Sequence, residues 1–415
     1  MSRGLDKSAD SGILVVGAGL AGLTLALSLA KLGIKSTVIE KQKEITPSRW
    51  GILLYPIGMK IFRDLGVLEE VKSLAMPLKD PQVETAAGEV LSILRTGLLF
   101  EDLNFCLAVG PSEIREVLMK HAFASGVEVV EGAKFLGSVR KTSKGGVIGA
   151  RISRNGEETT ISCSLLVGAD GYKSRMREDF GVKTESRRYP PEAAMFVSHE
   201  HGLDRFHMVL ADGYQVVLLP LSPDRFVVGL TERKITYDEM IGRGEEFAKR
   251  RIGAAVPSLS SAIESSDAKF SDQSLLIIKP EEIWAKTYTI DGGVLIGDAA
   301  HSFHPGAGQG AQQSFLDAVT LAPVIQKCVG AADFSKERLM EFERPRQALI
   351  RFWRTNSRRL ISMQTAEGRF RKSLRNRYMR KAGKMSEKKE VQEVLWGLRA
   401  PSRMEVVRLG LSLFL

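Results

Sequence analysis

Cysteine is scarce in this sequence. Of 415 residues only three are cysteines, Cys106, Cys163 and Cys328, far apart and without the spacing of a metal or redox centre. That excludes a disulfide framework and a thiolate metal site, and leaves reduced structural thiols in a cytoplasmic protein as the expectation. The first ten residues are polar and lack the charged, apolar and small-residue order of a secretory signal, so none is expected. No internal repeat and no low-complexity linker is present. Acidic residues run short in one place: residues 351–389 hold 14 Lys or Arg and 2 acids, net +12 in a chain whose formal charge is +10. Basicity therefore belongs to one late segment. No nucleic-acid-binding motif accompanies it, so nucleic acid is not an expected partner.

Residues 11–30 carry no charge, and hydropathy alone would nominate them as a membrane span. Their pattern says otherwise. Residues 12–16 are a short β-branched run, Gly17, Gly19 and Gly22 spell GxGxxG, residues 23–32 are helical in character, and residues 35–40 form a second strand ending in Glu40. This order is a βαβ dinucleotide-binding unit. The first glycine makes the turn, the second admits a pyrophosphate, the third lets the helix pack, and Glu40 accepts from the adenosine ribose.

Two further stretches carry chemistry. Residues 164–177 read SLLVGADGYKSRMR: a strand, an Asp170-Gly171 turn, a helix that Ser174 can cap, and Arg177 as a bidentate donor for phosphate or an acid. Residues 297–318 read GDAAHSFHPGAGQGAQQSFLDA. Asp298 follows a strand expected at residues 293–297, where its carboxylate can accept from sugar-like hydroxyls. Gly308 and Gly310 let backbone approach a planar ring, and a helix beginning near Ala311 aims its N-terminal N–H groups at that ring. His301 and His304 stand at i, i+3 with no third ligand cluster, so no metal is expected.

Together these stretches resemble the group A FAD-dependent monooxygenases, the family of para-hydroxybenzoate hydroxylase and the ubiquinone-biosynthesis hydroxylases. The fixed letters of that family's GDAAHxxxPxxGQG stand here as Gly297, Asp298, Ala299, Ala300, His301, Pro305, Gly308, Gln309 and Gly310. Those of GADGxxSxxR stand as Gly168, Ala169, Asp170, Gly171, Ser174 and Arg177. The chain departs from the pattern at Gln312, where Asn is usual, and at Ser314, where Gly or Ala is usual. The resemblance implies FAD as cofactor, NADH or NADPH as co-substrate, and O₂ carried as a flavin C4a-hydroperoxide that hydroxylates or epoxidises an electron-rich aromatic. The lack of a second GxGxxG agrees with transient docking of the nicotinamide. FAD contacts are expected from Gly17, Gly19, Gly22, Glu40, Asp170, Arg177, Asp298, Gly308, Gln309 and Gly310. Arg49, ahead of WGILLYPIGMK, resembles the family's phosphate-reaching arginine, with a solvent-facing loop arginine as the competing reading. Pro111 stands where the family has Arg or Gln for the ribityl chain, and Arg115, one turn on, can replace it. Pro305, Gly308, His304 and Tyr214 are the expected catalytic positions.

Three separated flavin motifs make the FAD domain discontinuous. The expected fold is α/β: a three-layer Rossmann-type FAD-binding domain from residues 1–80, 106–184 and 286–340, an inserted β-sheet substrate domain from 81–105 and 185–285, and a basic helical C-terminal region from 341–415. Strands are expected at 206–210, 214–221 and 225–230, joined by ADG and SPD turns, with residues 82–94 adding to them. His207, Tyr214, Gln215 and Arg225 are the polar candidates for a pocket on that sheet, although alternation does not say which face is inward. A flavin halogenase would carry Trp-x-Trp-x-Ile-Pro, and the four tryptophans are isolated. A geranylgeranyl-type prenyl reductase and a non-enzymatic prenyl-protein escort share the scaffold. Oxygen consumption separates the first from a monooxygenase, and flavin retention separates the second. The basic segment and the apolar ending VVRLGLSLFL point to a lipophilic aromatic such as a prenylated quinone or quinolone, and to peripheral contact with the inner face of a membrane.

Overall fold

The structure is a computed structural model that describes residues 12–48, 50–143, 145–269, 274–304, 308–399, 401–402 and 404–405. Apolar runs without alternation form its central sheet. Ile13–Val16, Ser36–Glu40 and Leu165–Gly168 are buried along their whole length, as parallel strands covered on both faces must be. Gly293–Leu295, Leu165–Gly168, Ile13–Val16, Ser36–Glu40 and Glu128–Glu131 lie side by side in parallel, and Thr289–Ile290 closes one edge antiparallel. Helix Leu20–Lys31, buried along most of its length, packs against helices Pro111–Ala124 and Gly310–Ala331. An antiparallel sheet of Ala133–Arg140, Val147–Arg154 and Glu157–Ser162 lies against the central strands as a further layer.

Two glycines permit this packing. Gly17 has φ +109°, and a β-carbon there would lie 2.4 Å from the Ala169 carbonyl oxygen. One at Gly22 would lie 2.0 Å from the Gly17 carbonyl oxygen. Any side chain at either position drives the first helix off the sheet.

The second sheet has nine strands, running in order Leu275–Ile278, Glu192–Ser198, Arg225–Glu232, Tyr214–Ser222, Arg205–Leu210, Met76–Thr85, Cys106–Val109 and Ile52–Leu54, with Val90–Ile93 paired to Met76–Thr85. Neighbours are antiparallel except Arg205–Leu210 beside Met76–Thr85, which run parallel. The three expected strands are all present. The sheet also takes in Ile52–Leu54 and Cys106–Val109, from segments expected in the FAD-binding part. Period-two alternation gives it two apolar faces. Met195, Val216, Leu218, Phe226 and Val228 pack against Met240, Ala248 and Ile252 of helix Tyr237–Ala255, a helix started by a capping box of Thr236 and Glu239. The opposite face is roofed by the C-terminal helices.

Those helices, Lys336–Gln364, Arg369–Ser386 and Lys389–Leu395, bury Trp353, Tyr378, Met379 and Trp396. Some of their positive charge is matched by acids from earlier segments: Arg354 and Arg358 pair with Glu282, Lys372 with Asp212 and Arg380 with Glu89. Arg375 is buried and donates to the Ala211 carbonyl at 2.6 Å. The apolar ending at residues 406–415 lies outside the described residues. Among those described, no helix is long and apolar enough to cross a membrane. All three cysteines are buried free thiols.

Candidate active site

The turn after Ile13–Val16 leads into helix Leu20–Lys31, whose first N–H groups receive no side-chain cap from Gly19. A β-carbon at Gly19 would meet nothing within 4 Å, so the space before the helix is open. Glu40 stands at its side: Oε2 accepts from the Ala18 N–H at 2.9 Å and Oε1 from the Gln42 N–H at 3.0 Å. Arg115 Nε donates to the Ala18 carbonyl at 2.7 Å, with the guanidinium 3.5 Å from Glu40. Gly19, Glu40 and Arg115 therefore meet where a helix N-terminus and a cation can hold a pyrophosphate. Arg49 lies outside the described residues.

The 170–177 motif plays a different part from the one expected. Asp170 accepts from Ser174 Oγ at 2.5 Å and from the Met176 N–H at 3.0 Å, and Ser174 accepts from the Arg177 N–H at 2.9 Å. Arg177 was expected to offer its fork to phosphate or an acid. Its guanidinium is buried instead and donates to the carbonyls of Ala299 at 2.9 Å, Asp298 at 3.4 Å and Tyr172 at 3.0 Å. It ties this motif to the Gly297–Ala299 turn, because three backbone acceptors enclosed there need a donor.

That turn is held from the other side by Asp317. Its buried carboxylate accepts from the Gly297 N–H at 2.7 Å and Arg346 Nε at 2.6 Å, and lies 2.8 Å from His301 Nε2. Burial alone would raise its pKa, but the charges of Arg346 and His301, with these hydrogen bonds, pull it down to about 2. Arg346 also donates to the Gln313 carbonyl at 3.1 Å and its Oε1 at 2.8 Å. His301 is thus a structural partner of the loop. Asp298 is part-buried, and among the described residues no donor reaches its carboxylate. Burial holds that carboxyl above its usual range, the Asp317 charge adding and His301 and Arg177 opposing. A lone carboxylate of this kind is ready to accept from hydroxyls.

Helix Gly310–Ala331 begins directly after this loop. Gly308, at φ +63°, brings backbone against Tyr55, whose hydroxyl would lie 2.8 Å from a β-carbon there, and space at Gly310 is open. Gln309 is buried, its Oε1 accepting from Gln313 Nε2 at 3.2 Å, and Gln312 donates to the Leu53 carbonyl at 3.2 Å. Pro305 lies outside the described residues.

A cavity of about 1370 Å³ opens from Gly308–Ala311 between the nine-stranded sheet and the C-terminal helices. Its wall is mostly apolar and includes Phe206, Met208, Val217, Leu219, Phe352, Met379, Trp50, Trp353 and Trp396. None of the four polar sheet residues expected at a pocket lines it. Tyr214 faces the helix-covered side, with the Arg251 guanidinium 3.9 Å from its ring centroid. His207 Nδ1 is 2.9 Å from Glu84, Gln215 lies buried beside Thr231, and exposed Arg225 donates to Ser222. His304 is buried edge-on to Tyr189 with ring centroids 4.9 Å apart, away from the cavity wall, and burial lowers its pKa to about 4. Tyr214 and His304 therefore do not line this cavity. The buried acid that does line it, Glu192, was missed, as were Asp317 and Arg346.

Two open helix N-termini, an acid at the end of the second parallel strand and a lone acid after another parallel strand fit an FAD, and an apolar cavity beside the second N-terminus fits the flavin-dependent monooxygenase class. The chain belongs to the FAD binding domain family, whose model matches residues 10–351. It is 28% identical over 334 residues to 6-methylpretetramide 4-monooxygenase of Streptomyces rimosus, covering 80% of this chain and 79% of that one. It is 27% identical over 354 residues to 2-heptyl-3-hydroxy-4(1H)-quinolone synthase of Pseudomonas aeruginosa, covering 83% and 87%. The crystal structure of p-nitrophenol 4-monooxygenase PnpA from Pseudomonas putida DLL-E4 superposes with a TM-score of 0.79 at 20% identity, covering 94% and 98%, a likeness of fold. The group A resemblance, the α/β fold with its helical C-terminal region, the FAD cofactor and the oxidoreductase class are borne out.

Gly19→Val fills the open space before the first helix and is expected to abolish FAD binding in a folded protein. Asp298→Ala removes an acceptor for ribityl hydroxyls, each such bond worth roughly 1.5–3 kcal/mol, and is expected to weaken FAD at least tenfold by fluorescence titration. Unchanged FAD affinity with a lowered melting temperature makes Asp298 structural instead.

Proposed function

We propose that this enzyme uses NADH or NADPH and O₂ to hydroxylate or epoxidise an electron-rich, mainly apolar aromatic molecule, quinolone-like or polycyclic, held in the cavity described above. The observation that carries this reading is the apolar cavity ending on the Gly308–Ala311 backbone of the cofactor site. FAD, when bound, supplies reduction by the nicotinamide and activation of O₂. The chain's own residues do the rest. Gly19, Glu40 and Arg115, on a turn that Gly17 and Gly22 allow, would hold the dinucleotide end, and Asp298 would hold the ribityl chain. The N-terminus of helix Gly310–Ala331 would favour negative charge on a ring held beside it. Apolar walls exclude water, which protects a reactive oxygen species from decay. Asp170 and Arg177 act by fixing the turn that carries Asp298. Gly308 and Gln309 would border the ring, and Pro305, three residues before Gly308 in sequence, is proposed to act beside it. The names of the quinolone synthase and the pretetramide monooxygenase support a fused-ring substrate. The division into residues 1–80, 106–184 and 286–340 for FAD, 81–105 and 185–285 for substrate, and 341–415 for the roof is part of the same reading.

The test is a screen of NADH and NADPH oxidation with oxygen uptake across phenols, quinols, quinolones and prenylated aromatics. Alkylated or fused-ring compounds are expected to accelerate both at least tenfold over simple hydroxybenzoates. Nicotinamide oxidation with prenyl substrates but no oxygen uptake would make this a reductase.

We also propose a cytoplasmic location with peripheral membrane contact. Arg351 and Arg359 lie exposed at the cavity rim, and a lipophilic substrate would enter there from a bilayer, each near-surface cation adding about 1 kcal/mol on anionic lipid. Co-sedimentation with phosphatidylserine vesicles but not phosphatidylcholine vesicles at low salt is expected; no sedimentation with either sinks this part.

A further inference from the structure

Glu192 opens the strand Glu192–Ser198 and pairs with Thr231 on one side and Ile278 on the other. Alternation puts it with Ala194, Gly229, Leu276 and Ile278 on the cavity wall. It is 8% exposed, and among the described residues no donor reaches Oε2 and no cation pairs with the carboxyl. The sheet is shaped around it. A β-carbon at Gly229 would lie 2.9 Å from Glu192 Oε1 and 2.8 Å from Val217 Cγ2, so the missing side chain at 229 leaves the slot that the carboxyl occupies. An acid enclosed without a partner opposes folding, and burial pushes this one up to about 7. An aliphatic side chain would satisfy the wall better. A carboxyl retained beside a glycine, in a cavity otherwise built from aliphatic and aromatic groups, is a group waiting for a donor.

Resting on the function proposed above, we infer that Glu192 is the specificity-determining residue of the cavity. Its carboxyl accepts a hydrogen bond from an O–H or N–H of an otherwise apolar aromatic substrate and so fixes which way the ring system lies. A site built this way rejects the shape-matched analogue lacking the donor, because the acid is then left buried and unpaired.

Trp50, Trp353 and Trp396 line the same cavity, so tryptophan quenching of the FAD-loaded protein reads occupancy. The probes are 4-heptylphenol and 4-heptylanisole, alike in shape and differing in one donor. The wild type is expected to prefer the phenol about tenfold or more. Glu192→Leu is expected to bring that preference within about twofold by weakening the phenol alone, and to melt no lower than wild type because it removes an unpaired buried acid. Gly229→Ala, which displaces the carboxyl without removing it, also narrows the preference and serves if the first variant misfolds. Equal binding of both probes by the wild type, no quenching by either, or a preference that survives Glu192→Leu overturns the inference. Preferential phenol binding without NAD(P)H-dependent oxygen uptake on any aromatic sinks the monooxygenase reading and leaves Glu192 as a recognition group. Uptake without preference does the reverse.

Discussion

One buried carboxylate holds the cofactor-facing loop in place. Asp317 receives the Gly297 N–H and Arg346 Nε and lies against His301 Nε2, so the 297–301 stretch and a distant helix converge on two oxygen atoms. Enclosing an acid costs several kcal/mol, and only a close cation with complete hydrogen bonding offsets it. Both conditions hold here, which is why the group stays ionised down to about pH 2. The consequence is geometric. The Gly297–Ala299 turn is pinned by Asp317 on one side and by the Arg177 guanidinium on the other, leaving Asp298 with no partner of its own among the described residues. The residue proposed to accept from cofactor hydroxyls is thus the one its neighbours leave unsatisfied.

Arg346 carries this constraint into the roof. It belongs to helix Lys336–Gln364, which lines the cavity further along through Trp353, Asn356 and Leu360. The ion pair of Asp317 with Arg346 thus links helix Gly310–Ala331, which follows the Gly297–Ala299 turn, to a helix that lines the cavity.

The central fold was legible because its signals are local. GxGxxG followed by a helix and a terminal Glu40 needs no tertiary information, and the strands at 205–232 announce themselves by alternation between ADG and SPD turns. What was not legible depends on which distant groups meet. Arg177 read as a phosphate donor because a fork of N–H groups looks the same whether it points at a ligand or at the carbonyls of Ala299 and Tyr172. Tyr214 read as a pocket residue because alternation gives two faces without saying which is covered by helix Tyr237–Ala255. Glu192 was invisible as a single acid at the start of a strand until its register beside Gly229 placed it on the cavity wall. The basic run showed its helices but not its partners, because acids such as Glu282 and Glu89, which pair with Arg354, Arg358 and Arg380, lie far away in sequence.

The role of Asp317 is tested most directly by Asp317→Asn, followed by FAD titration and by unfolding at a series of pH values. Its folded pKa of about 2 lies below the 3.8 of the unfolded chain, so its stabilisation is complete above about pH 4 and is lost as pH falls toward 2. The variant is expected to lose about 3–5 kcal/mol near neutral pH, to bind FAD at least tenfold more weakly, and to show a shallower loss of stability between pH 4 and 2. A variant with wild-type FAD affinity and an unchanged acid profile would contradict the role given to this carboxylate.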